Sequence, residues 1–228
     1  MRFAVVKLGG HVIFNGLEMD INYVGCLVKE LQIALKDFDG LAVVTGGGGI
    51  ARHYIAWGKA LGFREASLDT IGISVSRINA TFLWAAFHGI LPPNVPLTIG
   101  EAIELIRVWK IVFMGGLQPA QSTTTVAALL AEALDAEKLV IATDVDGVYS
   151  EDPKKNPAAK KFDKVKIEDL EQMFSKGVEA GGYKLFDPLT LAVIKRSRIP
   201  TQVIAGKPPS NIRRTLEGES LGTVVLNQ

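Results

Sequence analysis

Four consecutive glycines, Gly46 to Gly49, follow the apolar run Leu41-Ala42-Val43-Val44-Thr45 and lead into Ile50-Ala51-Arg52. A strand, a glycine turn and a helix in that order form a phosphate-binding arrangement. The turn lacks Cβ atoms and lets a ligand approach closely, while the helix start offers free N–H groups and the positive end of its dipole. Arg52 falls in the first turn of that helix, where its guanidinium can add forked, charge-assisted hydrogen bonds to a phosphate. Four adjacent glycines are entropically wasteful for a turn that only connects two elements, so phosphate binding is the expected use.

A second turn of this kind is Lys7-Leu8-Gly9-Gly10, at the end of the apolar run from Phe3. In a parallel sheet the carboxyl ends of the strands form the ligand-binding edge, which puts Lys7 on the same edge as Gly46–Gly49. Two further loops follow apolar runs. One is Gly115-Gly116-Leu117-Gln118-Pro119-Ala120-Gln121-Ser122-Thr123, whose hydroxyls and amides suit an uncharged polar ligand such as a base or sugar, or cap the next helix. The other is Thr143-Asp144-Val145-Asp146-Gly147-Val148-Tyr149, with Asp152-Pro153 beyond; it reads as a turn or as a nucleotide loop. Arg77 and Asn79 read singly as a solvated helix face, and Asp69 as an acid near a helix start.

Other chemistries find little support. His11, His53 and His88 do not cluster, which argues against a metal hydrolase. No G-x-x-x-x-G-K-[ST] occurs. Gly46 to Ala51 satisfies G-x-G-x-x-A, but Asp69 opens a helix instead of ending the next strand, so a dinucleotide fingerprint is demoted.

These loops need elements to position them. Strands are expected at Phe3–Leu8, Leu41–Thr45, Ile111–Met114, Lys138–Ala142, Thr201–Ala205 and Thr223–Leu226. Helices are expected through Ile21, Val24, Val28, Leu31 and Leu35, through Ile50, Tyr54, Ile55 and Ala60, and from Ser67 until Gly89 and Pro92-Pro93 end it. Further helices run from the capping box Thr98–Glu101 to about Val108, then over 124–134, 167–174, 187–197 and 210–216. Asp187-Pro188 is a helix start with an Asp cap and Pro in the first turn. Residues 154–166 read as a basic surface loop, and Gly177 to Tyr183 as a mobile glycine-rich stretch. In the helix from Ser67, the stripe Leu68, Ile71, Val75, Ile78, Phe82 and Ala85 is expected to pack on the core. Ile73, Leu83, Trp84 and Phe87 lie off it and call for a second partner. Strands alternating with helices predict an α/β protein with a mainly parallel sheet continuous through both halves.

The chain has 228 residues, 48% hydrophobic and 21% charged, with a net charge of +1. That is an ordinary globular composition, without the charge excess of a nucleic-acid or membrane-surface binder. The longest uncharged run, Ile111 to Ala131, has a polar middle and does not read as a membrane span. The start is too short and charged for a signal peptide, and the lone cysteine, Cys26, fits a reducing, cytoplasmic setting; its apolar helical context predicts a small core residue.

Taken together, Lys-x-Gly-Gly, Gly-Gly-Gly-x-x-Ala-Arg, Gly-Gly-x-x-Pro and Thr-Asp-Val-Asp-Gly-Val-Tyr, in this order, resemble the amino-acid kinase superfamily, and more narrowly the archaeal uridylate kinases. The likeness covers nearly the whole chain. It implies a three-layer αβα sandwich in one domain over 1–228, with an acceptor lobe for UMP over about 1–135 and an ATP lobe over about 136–228. It implies that Gly47, Asp69 and the loop Leu117, Gln118, Pro119, Ala120, Gln121, Ser122 and Thr123 hold UMP. Gly9, Gly10, Gly48, Arg52, Thr143, Asp144, Tyr149 and Asp152 would hold ATP or the phosphates between the nucleotides. Lys7 would be the catalytic lysine, acting with Arg52.

Many superfamily members carry an Asp where this chain has Thr124. Either Asp187, Asp146 or Asp144 takes over the orientation of Lys7, or that orientation matters less here; Asp187 is the expected third catalytic residue. The resemblance further implies ATP with Mg²⁺ as cofactor; no carboxylate pair stands out, so the protein is expected to contact the ion mainly through water. It implies no nucleic-acid or membrane partner, and a homohexamer of three dimers with the helix from Leu68 to Phe87 at the dimer contact. Alternatives are a sibling kinase acting on acetylglutamate or isopentenyl phosphate, or a non-catalytic nucleotide or oxyanion binder. The choice between UMP and CMP stays open.

Overall fold

The computed structural model describes residues 1–92, 94–175 and 185–227. The chain begins with strand β1 (Phe3–Leu8), the short helix α1 (Gly10–Ile13) and a small hairpin of β2 (Phe14–Asn15) and β3 (Glu18–Met19). Then come α2 (Ile21–Ala34), β4 (Gly40–Thr45), α3 (Gly48–Ala60), α4 (Glu65–His88), α5 (Ile99–Trp109) and β5 (Ile111–Met114). The second half holds α6 (Thr123–Ala133), β6 (Lys138–Thr143), β7 (Val148–Tyr149), β8 (Lys161–Phe162), β9 (Lys164–Lys166) and α7 (Ile167–Ser175). It ends with α8 (Pro188–Ser197), β10 (Thr201–Ala205), α9 (Ser210–Leu216) and β11 (Thr223–Leu226).

Seven strands form one sheet in the order β5-β4-β1-β6-β10-β11-β9. The five from β5 to β10 run parallel, and β11 turns back against β10. Each of β1, β4, β5 and β6 is almost wholly buried, as expected of parallel strands covered on both faces. Helices α5, α6 and α8 pack together on one face; α2, α4 and α9 cover the other. This is the α/β, three-layer αβα architecture with a mainly parallel sheet. Because β1 lies between β4 and β6, both halves of the chain meet at its carboxyl end.

Local chemistry sets several helix starts. Thr98 accepts the Glu101 N–H at 3.1 Å, and the Glu101 carboxylate accepts the Leu97 N–H at 2.9 Å. Ser122 caps α6 through the Thr125 N–H, and Asp187 caps α8 through the Thr190 N–H, with Pro188 first in the helix.

Three expectations fail. Residues 154–166 are not all loop, since β9 pairs with β11 and extends the sheet; two- and three-residue strands carry too little periodicity to be read locally. Cys26 is exposed, because α2 turns Tyr23, Val24, Leu27, Leu31 and Ala34 inward. The inward stripe of α4 is Leu68, Val75, Ser76, Asn79, Ala80, Leu83 and Trp84, while Ile78 (66%) and Phe82 (41%) are exposed. That stripe follows the true helical angle, with polar Ser76 and Asn79 inside it, and polarity obscured it in the sequence. The stretch Gly177 to Tyr183 lies outside the described residues.

Candidate active site

The two glycine turns meet at the carboxyl edge of the sheet. A Cβ on Gly10 would lie 2.1 Å from the Gly48 nitrogen, so the two backbones touch. Gly48 also needs the left-handed conformation, with φ of 66°. Gly9 donates its N–H to the Ala142 carbonyl at 2.8 Å, which stitches the turn to β6 and leaves Gly10 as the amide donor of the pair. Gly47 caps α3, and Arg52 is the fifth residue of that helix, at the start of its second turn.

Above these turns opens a cleft of about 830 Å³. Lys7, Gly9, Gly10, Gly47, Gly48, Arg52, Thr143, Asp144, Asp152 and Lys154 line it, together with Ser122 and Thr123 at the start of α6. Lys7 keeps partial access to the cleft, but burial of its ammonium pushes its pKa down to about 8, against the opposing pull of Asp144. Asp144 is itself ion-paired with Lys154. Burial would raise the Asp144 pKa, yet its hydrogen bonds from Lys154 and Thr143 hold it below the ordinary carboxylate range.

A smaller cavity of about 150 Å³ adjoins the cleft, sharing Gly47, Ile55, Gly72 and Thr123 with it. Asp69, Gln118 and Gln121 line it. The Gln121 Oε1 is buried without a hydrogen-bond partner among the described residues. Helix α4 braces both cavities. Asn79 donates to the Gly46 carbonyl at 2.8 Å, and Thr45 to the Ser76 carbonyl at 2.8 Å. Ser76 accepts the Gly116 N–H, and Arg77 donates to the carbonyls of Gly116 and Leu117 at 3.0 and 2.9 Å. Asp69 accepts the Ala120 N–H at 2.8 Å. Arg77 and Asn79 are therefore loop anchors, not a solvated face.

Asp187 is the cap of α8 and does not line the cleft. Its carboxylate accepts from the hydroxyls of Ser122, Thr125 and Thr190 and from the Thr190 amide. Burial works to raise its pKa, and these donors outweigh it and keep the group low. Tyr149 turns its hydroxyl to Asp146 at 2.5 Å, and Asp146 also pairs with Lys161. Leu117, Pro119, Ala120, Tyr149 and Asp187 border neither cavity; the other expected site residues line one or both.

A family model described as the amino acid kinase family matches residues 2–205. The chain belongs to the amino acid kinase family. A uridylate kinase of Thermofilum pendens is 46% identical over 226 residues, covering 97% of each chain. One of Methanothermobacter thermautotrophicus is 40% identical over 225 residues, covering 97% of this chain and 98% of that one. The crystal structure of uridylate kinase from Archaeoglobus fulgidus superposes with a TM-score of 0.85 at 37% identity, over 99% of this chain and 100% of that chain.

Two titratable side chains in the cleft, His11 and Lys154, are not among the site residues expected from the sequence. Lys154 lies in a stretch whose sequence reads as surface loop, and His11 carries no sequence signal beyond that of a histidine with no clustered partner. Their place beside Lys7 and Arg52 depends on long-range packing, which leaves no local signal. No helix among the described residues is long and apolar enough to cross a membrane. No group of three His, Cys, Asp or Glu side chains converges among them either. Asp144 and Asp152 do border the cleft, which fits Mg²⁺ arriving with a nucleotide, since that ion keeps its waters and needs only one or two carboxylates.

Proposed function

We propose that this chain is a UMP kinase that transfers the γ-phosphoryl group of ATP to UMP, giving UDP and ADP. The observation that carries the reading is the junction of the two cavities at Gly47 and Thr123. A large cleft with Lys7 and Arg52 opens there onto a small polar pocket with Asp69, Gln118 and Gln121. ATP fills the cleft, with its phosphates on Gly10, Gly48, Lys7 and Arg52, and UMP fills the pocket with its phosphate facing the junction. The acceptor lobe then spans about 1–135 and the ATP lobe about 136–228, within one domain.

A nucleoside monophosphate is largely ionised near neutral pH, since its second pKa is about 6. The acceptor oxygen therefore needs no general base. Catalysis consists of alignment and of charge neutralisation on the group in flight. Lys7 and Arg52 supply the positive charge, and the amides of Gly10 and Gly48 add donors. Mg²⁺ bound to the ATP phosphates would neutralise part of their charge, with Asp144 and Asp152 available to its waters. Asp144 provides the counter-charge for Lys7. Asp187 is a positioning residue: through Ser122 and Thr125 it fixes the start of α6, where Ser122 and Thr123 meet the cleft.

The enzyme is cytoplasmic and assembles as a homohexamer of three dimers. Helices α3 and α4 leave Tyr54, Trp57, Ile78 and Phe82 exposed, and a second copy covering them would rigidify the helix that anchors the UMP loop.

The direct test is ADP release with UMP, CMP, dTMP, acetylglutamate and isopentenyl phosphate as acceptors. Turnover highest with UMP is expected. Preference for a non-nucleotide acceptor would move the chain to a sibling activity, and no turnover with any acceptor would favour a binding protein.

A further inference from the structure

His11 lines the large cleft from α1, between the two glycine turns. Its ring makes no hydrogen bond among the described residues and is half-buried. The charged groups that act on it come from each element around it: Arg52 of α3, Asp144 after β6, Lys154 beyond β7 and Lys7 of β1. Three are cations, and the one carboxylate is already paired with Lys154. Burial first, then the Arg52 guanidinium, outweigh the opposing pull of Asp144 and hold the imidazole below its ordinary pKa, which favours the neutral ring near pH 7.

A polyphosphate chain in the cleft reverses the local field. The same ring then faces several negative oxygens, which favour the imidazolium and give it charge-assisted hydrogen bonds. We propose that His11 is a further binding residue for the nucleotide polyphosphate, taking up a proton as the chain enters and contacting it as a cation. This rests on the nucleotide reading of the cleft. The proton comes from solvent and returns to it on release, so the overall reaction stays balanced. Nucleotide affinity becomes proton-linked: it is strongest where solution can protonate His11 in the complex, and weakens as pH rises beyond that point.

The test is calorimetric titration of the protein with the Mg²⁺ complex of an imido-bridged ATP analogue at pH 7, in two buffers of different ionisation enthalpy. Parent protein should take up protons on binding. His11→Gln keeps a hydrogen-bonding group but cannot titrate in this range. It should lose that uptake and bind about tenfold more weakly at pH 6.5, with a smaller loss at pH 8.5. Any uptake by Lys7 is common to both proteins, so the difference reports His11. Equal uptake in both, or none in a parent that binds, overturns the His11 role and leaves the nucleotide site intact. A parent that does not bind the analogue overturns both. Should His11→Gln fail to fold, ring ¹⁵N signals of the parent, assigned with His53→Ala and His88→Phe, replace it. A signal turning from neutral to imidazolium on binding is expected, and unchanged signals overturn the proposal.

Discussion

The backbones of Gly10 and Gly48 touch, with a Cβ on Gly10 falling 2.1 Å from the Gly48 nitrogen. Two strand-end turns from separate parts of the chain thus form one floor. Gly10→Ala must push the turns apart, and a shift of that size at packed backbone costs about 1–3 kcal/mol. The expected outcome is a lower Tm together with loss of most turnover and nucleotide affinity. Normal ATP binding by a folded Gly10→Ala protein would show that the floor does not carry the phosphates.

Lys7 is held at a pKa of about 8, below its ordinary 10.5. A folded value below the unfolded one means that the unfolded chain binds more protons between those limits. Stability from this group therefore rises with pH across about 8 to 10.5, and below 8 the buried charge costs about 3 kcal/mol. Lys7→Met should raise the Tm of the ligand-free protein at pH 7, an advantage that fades toward pH 10.5. The same variant should lose on the order of a thousandfold in kcat with little change in the KM for UMP. Near-normal turnover would remove Lys7 from the mechanism.

Asp69 both accepts the Ala120 N–H and lines the small cavity. Asp69→Asn keeps a carbonyl acceptor for Ala120 but loses the charge available to a ribose. It should raise the KM for UMP about tenfold and leave that for ATP nearly unchanged. Deoxy-UMP should be a poorer substrate than UMP for the parent, and the gap should narrow in the variant. An unchanged gap would confine Asp69 to anchoring the loop.

The unpartnered Gln121 Oε1 is a buried acceptor inside the same cavity. An unmade bond of that kind costs about 1–3 kcal/mol, and the N3–H of a uracil ring can supply it. Gln121→Ala should lower kcat/KM for UMP roughly tenfold and reduce the preference for UMP over CMP. Steady-state competition between the two nucleotides measures both effects. An unaltered ratio would place the base elsewhere.

Assembly can be tested at the exposed apolar side chains of α3 and α4. Light scattering should give about six times the 24.6 kDa chain mass, and Ile78→Glu with Phe82→Glu should reduce it. If those chains form the dimer contact, the smaller species should also show a raised KM for UMP, because α4 carries Asp69, Ser76, Arg77 and Asn79. A fully active protein at the mass of one chain would sink the assembly and its link to UMP binding.

Much of this molecule was legible in the amino-acid sequence because its signals are local. Apolar strands ending in Gly9-Gly10 and Gly46–Gly49, the Ser122 and Asp187 caps and the order of the four loops depend on steric and hydrogen-bonding rules that act within a few residues. The tertiary structure alone decided what those loops lean on. Asn79 reads as part of a solvated face, yet it and Ser76 point inward because the buried carbonyl of Gly46 and the amide of Gly116 need partners. His11 and Lys154, far apart in sequence, converge on Asp144 because β1 lies beside β6. Periodicity records which way a side chain faces along its own element. Which backbone group or charge waits across the gap is set by long-range packing, and no local pattern encodes it.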